Sequence, residues 1–152
     1  MKPLKKLDIL RKNLRKMEAL QFNLIAPEKT LFAQPIQMAV IPGIQGDIGV
    51  LPGHAPLLTL LRAGVVKIYE KNKSMVEIFV DGGFAEVTPD KCMALITSGT
   101  PLEALDKHSL ELEIKNLLED RESSVTAKER EKVEKKLAIA QTKLMTTLSS
   151  LR

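Results

Sequence analysis

Two titratable side chains in a stretch rich in glycine and proline are the first candidates for chemistry. The stretch GDIGVLPGHAPLLT covers residues 46–59 and contains Asp47 and His54. A carboxylate that orients a histidine is the pair with which many hydrolases activate a nucleophile. The single cysteine, Cys92, falls in a strand-like segment, where we expect a small core residue rather than a nucleophile. A small β-sandwich hydrolase centred on Asp47 and His54 therefore stands only as an alternative function.

The glycines of this region indicate backbone geometry rather than phosphate binding. Gly43, Gly46 and Gly49 form a G-x-x-G-x-x-G pattern, but no helical pattern follows it and the chain contains no GxxxxGK[ST] loop. We predict that these three glycines and Gly53 supply positive φ in tight turns. The one cysteine and two distant histidines have no metal-ligand spacing. The sequence thus predicts that the chain binds neither a metal nor a cofactor. It also predicts a chain that is not an enzyme.

Charge is distributed unevenly along the chain. The formal net charge is +4, but residues 1–16 carry +6 and residues 17–152 carry −2. Nucleic-acid binding is expected to show a basic patch with exposed aromatic side chains. All five aromatic residues lie instead in strand-like segments of the mildly acidic part, which disfavours a nucleic-acid partner. No apolar run approaches the roughly 20 residues needed to span a bilayer, so we do not expect an integral membrane protein.

The elements that position these residues fall into three segments, of which residues 1–18 are the first. Leu7, Leu10, Leu14 and Met17 recur at spacings of 3, 4 and 3, which predicts a basic amphipathic helix. The segment lacks the unbroken apolar stretch of a signal peptide. One interpretation is a helix that touches anionic lipid. The other is a solvated extension, or a start assigned too early, since Met17 could itself begin the protein.

Residues 19–101 have the pattern of short antiparallel strands separated by frequent turns, which predicts a β-sandwich. FNLIA begins the segment, residues 32–41 form one or two strands interrupted at Pro35, and CMALI is the last strand. GVVKIYEKNKSMVEIFV predicts a hairpin with KNKS as its turn. In that hairpin, one alternating set of side chains comprises Val66, Ile68, Val76 and Ile78.

Residues 102–152 predict an antiparallel pair of helices, so the fold class is α+β. Two capping boxes, at Thr100–Glu103 and Thr126–Glu129, mark the expected helix starts. Each helix has a narrow apolar stripe flanked by charge, so we expect this pair to be only weakly held. The stripes comprise Leu110, Ile114 and Leu117 in the first helix and Val133, Leu137, Ala140, Leu144, Leu148 and Leu151 in the second.

Two motifs together resemble the epsilon subunit of F-type ATP synthases. They are IPGIQGDIGVLPGHAPLLTLLRAGVV at 41–66 and VDGGFAEV at 80–87, and the resemblance extends over about residues 20–150. It implies a rotor subunit of the central stalk that couples c-ring rotation, driven by proton flow, to the catalytic head. It also implies a sandwich fixed to the gamma subunit and resting on the c-ring. The residues expected to dock there are Gly43, Gly46, Asp47, Gly49 and His54.

The resemblance further implies that the helical pair inhibits ATP hydrolysis by entering the alpha/beta head. The cations expected to contact that head are Lys128, Arg130, Lys132, Lys135 and Lys136. Some members bind ATP through an Asp-x-x-Arg motif, but Ser109 follows Asp106 at that spacing, which disfavours an ATP-sensing form. Such a subunit would be peripheral, on the cytoplasmic face of a bacterial inner membrane, and held there through its complex.

Overall fold

The computed structural model describes residues 3–152, without the side chains at positions 3, 16 and 17. The described chain divides into two compact units, with the boundary between residues 99 and 100. The elements, in chain order, are α1 (Pro3–Met17), β1 (Leu20–Ala26), β2 (Lys29–Ile36), β3 (Met38–Gly43), β4 (Gly46–Val50), β5 (Leu57–Leu61), β6 (Gly64–Tyr69), β7 (Val76–Val80), β8 (Gly83–Val87), β9 (Lys91–Ile96), β10 (Gly99–Pro101), a 3₁₀ helix (Leu102–Ala104), α2 (Lys107–Ser123) and α3 (Ala127–Ser150).

The strands form two layers that share one edge contact. Hydrogen bonding follows the order β10-β7-β6-β3-β5-β8-β9-β1-β2, and β4 pairs with the other side of β3. Between β3 and β5 the register joins only Gly43 and Leu61. The path therefore turns at this point, so β4, β3, β6, β7 and β10 form one layer while β5, β8, β9, β1 and β2 form the other. This arrangement confirms the predicted sandwich.

One apolar core fills the space between the layers. The side chains of Val66 and Ile78 are paired across β6 and β7, as are those of Ile68 and Val76. Val66, Ile68 and Ile78 are buried in the core and Val76 is partly buried against it, as their alternation predicts. The opposite layer contributes residues such as Phe22 of β1, which is fully buried. The period-2 pattern thus identified the buried face of the hairpin correctly.

Two details of the strands differ from the expectation. Pro35 does not interrupt a strand, because it lies inside β2 and pairs with Gln21. Proline is tolerated there since β2 is at the end of the strand order and one side of it needs no ladder hydrogen bond. CMALI is also not the last strand, because β10 follows it.

Gly83 is required by the close pairing of β8 with β9. It has a φ of 147°, and a Cβ built at this position would lie 2.1 Å from the carbonyl oxygen of Leu95. Any larger residue would therefore push the two strands apart. The close approach of the two strands thus explains the second glycine of the GGFAEV motif.

In the second unit, the predicted start of the first helix is wrong. Thr100 and Pro101 are extended in β10, and the short 3₁₀ helix after them has no side-chain cap. The helix α2 begins instead at Lys107 with Asp106 as its N-cap. The carboxylate of Asp106 accepts hydrogen bonds from the backbone N–H of Ser109 at 2.8 Å and from its hydroxyl at 2.7 Å.

The predicted start of the second helix is confirmed. Thr126 caps α3 by accepting from the backbone N–H of Glu129 at 3.1 Å, and the carboxylate of Glu129 accepts from the backbone N–H of Thr126. These reciprocal bonds are those of a capping box.

The helices α2 and α3 share a small apolar cluster, formed by buried Leu117, Leu137 and Ala140. The predicted stripe of α3 does not continue to the end of that helix. Thr147 is buried while Leu148 is exposed. The hydroxyl of Thr147 donates to the carbonyl of Lys143 at 2.9 Å, which satisfies it within the helix.

Candidate functional site

The first part of the candidate site is the tip of the hairpin between β3 and β4, residues 43–46. Ile44 and Gln45 form the turn, and Gly43 pairs with Gly46. Of the two glycines, only Gly46 has a positive φ, 137°. Gly43 is needed for a different reason, because an added Cβ would lie 2.7 Å from the side chain of Ile48.

Asp47 lies in β4 rather than in a turn, directly after this tip. Its carboxylate pairs with the guanidinium of Arg62, and both side chains are substantially exposed. Gly49 is also a strand residue, opposite Val40, and has no positive φ. The prediction of positive φ is therefore wrong for Gly43 and Gly49. The motif encodes a strand between two turns.

The second turn contains His54. Pro52 and Gly53 are its central residues, and the backbone N–H of His54 donates to the carbonyl of Leu51 at 3.1 Å. With a φ of 84° at Gly53, this is the geometry of a type II turn. The imidazole Nδ1 of His54 lies 2.7 Å from the carbonyl oxygen of Ala55. The histidine therefore makes a local hydrogen bond that supports the turn.

The two turns lie at opposite ends of the sandwich. The Gly43 end of the tip adjoins Leu61, which pairs with Gly83 at the start of β8. The backbone N–H of Gly53 donates to the carbonyl of Pro89 at 2.6 Å, and Pro89 lies just beyond the end of β8. The turn at Gly53 is therefore at that end of the sandwich. The strand β4 runs between the two turns, so the structure does not bring Asp47 and His54 together.

Cys92 is not placed as a nucleophile. It is fully buried in the core, and this burial raises the pKa of its thiol to about 12. A thiol so protonated is a poor nucleophile at neutral pH. Together with the separation of Asp47 from His54, this removes the geometry that the hydrolase alternative requires. Among the described residues, no group of three or more His, Cys, Asp and Glu could hold a metal ion.

A surface that the sequence analysis missed lies on the outer face of β5 and β8. We call Leu58, Leu60 and Phe84 the apolar face; their exposure ranges from 42 to 71%. Leu60 and Phe84 are direct cross-strand partners. The backbone N–H of Ile44, itself exposed, donates to the carbonyl of Leu60 at 2.9 Å, which joins the apolar face to the tip.

The sequence did contain a signal for this face. In LLTLL at 57–61, leucines occupy both alternating sets, so only one set can point into the core. Leu61 belongs to the set that points into the core and is buried. Leu58 and Leu60 belong to the other set, and their side chains are exposed. A strand that is apolar on both faces indicates a covered outer surface.

The five cations predicted to act in regulation lie along α3. Their side chains are all exposed. Lys135 forms an ion pair with Glu131 at 2.9 Å, and this pairing lowers the pKa of Glu131. The residues are Lys128, Arg130, Lys132, Lys135 and Lys136. They present a charged surface along the first half of the helix.

Comparisons with known proteins agree with this architecture. The family model of the ATP synthase Delta/Epsilon chain, beta-sandwich domain, matches residues 19–99. The ATP synthase epsilon chain of Rhodospirillum centenum is 43% identical over 132 residues, which cover 84% of this chain and 90% of that one. The epsilon chain of Parvibaculum lavamentivorans is 43% identical over 97 residues, covering 64% of this chain and 74% of the relative.

Solved structures of low sequence identity share the fold. A chain of the Euglena gracilis mitochondrial ATP synthase superposes with a TM-score of 0.71 at 20% identity, covering 89% of this chain and 82% of that one. A chain of the Tetrahymena thermophila mitochondrial ATP synthase central stalk and c-ring gives a TM-score of 0.58 at 13% identity, covering 84% and 96%.

A β-sandwich followed by a helical pair is thus a fold that this chain shares with chains of these two ATP synthase structures. With the family match and the relatives above, the chain belongs to the family of ATP synthase epsilon chains. An epsilon chain is a non-catalytic stalk subunit, a peripheral component of a membrane-bound complex. No helix in residues 3–152 is both long and apolar enough to cross a membrane.

Proposed function

We propose that residues 19–101 dock this epsilon chain into the central stalk through two adjoining surfaces. The apolar face of Leu58, Leu60 and Phe84 contacts the gamma subunit, and the tip with Asp47 contacts the c-ring. The observation that carries the proposal is the exposure of three large apolar side chains on one sheet face. Full burial of a fully exposed side chain of this kind contributes roughly 1.5–3 kcal/mol, and coverage by a partner gains the share of this that matches the fraction still exposed.

The tip has the chemistry of a smaller, polar contact. Asp47 and Arg62 form an exposed ion pair beside the exposed Ile44. An exposed pair contributes only about 0–1 kcal/mol to folding, so its charges remain available for a partner. His54, at the other end of β4, supports its own turn, and we propose that it borders the gamma contact. The bacterial relatives support a location on the cytoplasmic face of the inner membrane.

The docking proposal predicts that Leu60→Glu abolishes co-purification of this chain with the gamma subunit. A charge placed in the middle of a buried apolar contact loses its hydration without a partner. The matched control is Met75→Glu, because Met75 is also an exposed apolar residue but lies before β7, in the other layer. Retention of gamma by Leu60→Glu, or equal loss by both variants, would contradict the assignment of the apolar face.

We also propose that α2 and α3, within residues 102–152, inhibit ATP hydrolysis by moving to the alpha/beta head. Their shared cluster is small: Leu117, Leu137 and Ala140 are buried, with the partly buried Ile114, Leu118 and Val133 packed against them. A core of this size gives each helix little stability of its own, so a second packing surface can compete with it. A shift from 1:99 to 99:1 between two such arrangements needs about 5.5 kcal/mol of differential contact.

The exposed cations of α3 test this role. We expect Lys132→Glu with Lys136→Glu to raise ATP hydrolysis by the assembled complex several-fold, because both charges would then repel acidic groups of the head. Lys115→Glu on α2 is the matched control, an exposed lysine outside the proposed contact. Circular dichroism checks that α3 remains helical. Unchanged hydrolysis in the double variant would count against a contact made by these cations.

A further inference from the structure

The helix α1 lies outside everything that the family accounts for. The family match begins at residue 19, whereas α1 spans Pro3–Met17. None of its side chains that the structure describes, at positions 4–15, belongs to the core of the sandwich. The docking and regulatory surfaces proposed above therefore leave α1 without a role.

One side of α1 is an apolar stripe open to solvent. Leu4, Leu7, Leu10 and Leu14 follow one another at spacings of 3, 3 and 4, which places them on one side of a helix with 3.6 residues per turn. Their exposure ranges from 50 to 75%. Four leucines exposed on one helix face form a contiguous surface that water solvates poorly.

The other exposed side chains of α1 are mostly basic, with Arg11 on the leucine side, next to Leu7 and Leu14, and the exposed Ile9 on the opposite side. Between residues 4 and 15 the helix carries five cations and a single carboxylate, Asp8, and all of these side chains are exposed. No ion pair involves them in the part of the chain that the structure describes. At about 100° per residue, Lys6 borders one side of the stripe and Arg15 the other. The five cations are Lys5, Lys6, Arg11, Lys12 and Arg15.

We propose that α1 binds the surface of an anionic membrane, with its leucine stripe among the acyl chains and its cations at the headgroups. A membrane interface offers a continuous apolar layer beneath a uniform negative charge, which matches both faces of this helix. Cations that border the stripe suit this position, because long basic side chains extend outward to the headgroups. The inference rests on the family only in that the complex is membrane-bound.

The position of α1 in the fold gives the end of the sandwich from which the helix leaves. The helix joins β1 at Leu20, which pairs with Ile36 at the end of β2 that is remote from the tip. The backbone N–H of Gln21 donates to the carbonyl of Asp90. Asp90 follows Pro89, whose carbonyl accepts from the N–H of Gly53. The helix therefore leaves from the end of the sandwich opposite Gly43–Gly46. If the tip rests on the c-ring, α1 leaves the sandwich at the other end, so the membrane contact proposed here is tested on the free chain.

The test measures co-sedimentation of the purified full chain with phosphatidylcholine vesicles, with and without phosphatidylglycerol. We expect about tenfold or tighter binding to the anionic vesicles, weakening as salt screens the charges. Two variants separate the contributions. Leu7→Ser with Leu10→Ser and Leu14→Ser removes the stripe, and Lys6→Glu with Arg15→Glu reverses the two cations that border it. Each is expected to lose at least about tenfold in affinity for the anionic vesicles.

Val125→Ser is the matched control for the leucine variant, because Val125 is 91% exposed but lies outside α1. It is expected to bind vesicles like the unmodified chain. Absence of binding to either vesicle, equal binding to both, or unchanged binding of the stripe variant would each overturn the proposal. The stripe variant must still co-purify with gamma, and Leu60→Glu must still bind vesicles, so this inference and the docking proposal can fail separately.

Discussion

At the residue scale, the carboxylate of Asp106 decides where α2 begins. Its hydrogen bonds with the hydroxyl and then the backbone N–H of Ser109 lower the pKa of Asp106 below the ordinary value of 3.8. Because the folded pKa is depressed, the stabilisation is complete above the unfolded value. It is lost as the pH falls through the folded value. The stabilisation from this cap therefore changes with pH only in the acid range.

We predict that the first turn of α2 loses hydrogen-exchange protection in acid, at pH values below 3.8, where the carboxylate takes up a proton. Asp106→Asn should keep the cap, since asparagine is an equally good N-cap, and should remove this acid dependence. Asp106→Ala should weaken protection of the Ser109 amide at every pH. Protection in Asp106→Ala equal to that of the unmodified chain would show that the cap is dispensable.

At the element scale, the pairing of α2 with α3 depends on very few side chains. Leu117 is buried in their shared cluster, whereas Leu112, also on α2, is 54% exposed. We predict that Leu117→Ala costs about 2–5 kcal/mol, enough to melt this small unit, while Leu112→Ala changes its stability by less than about 0.5 kcal/mol. Segment-resolved hydrogen exchange measures both. Similar effects of the two variants would mean that the cluster does not hold the helices.

Elements with strong local periodicity could be predicted from the sequence. The β6–β7 hairpin follows from the alternation of Val66, Ile68, Val76 and Ile78, and the start of α3 follows from the reciprocal bonds of Thr126. Two failures depend on information that is not local. Pro35 is tolerated because β2 is an edge strand, and the box at Thr100 does not form because that residue is extended in β10.

The candidate site was predictable only in part. The motif at 41–66 indicated the family, but its glycines suggested a series of tight turns where the structure has the strand β4 between two turns. Whether Gly49 sits in a turn or a strand is decided by pairing with β3, which no residue type specifies. The exposure of Leu58 and Leu60 likewise depends on which set of β5 side chains the other layer covers.

At the scale of the whole molecule, two units with separate apolar clusters have separable tasks. The core of the sandwich runs from Leu20 to Ile96, and the helical cluster contains none of these residues. Removal of the helices therefore leaves the core of the sandwich complete. Under the proposed function, the same separation would allow the sandwich to stay docked while the pair of helices changes partner.

The most direct measurement is ATP hydrolysis by the complex reconstituted with a chain that lacks residues 103–152. We predict that this chain assembles with gamma as well as the full chain does, because the apolar face and the tip are intact. Hydrolysis should rise several-fold, since the inhibitory helices are absent. Unchanged hydrolysis in a fully assembled complex would contradict the regulatory role, and failure to assemble would contradict the assignment of docking to the sandwich.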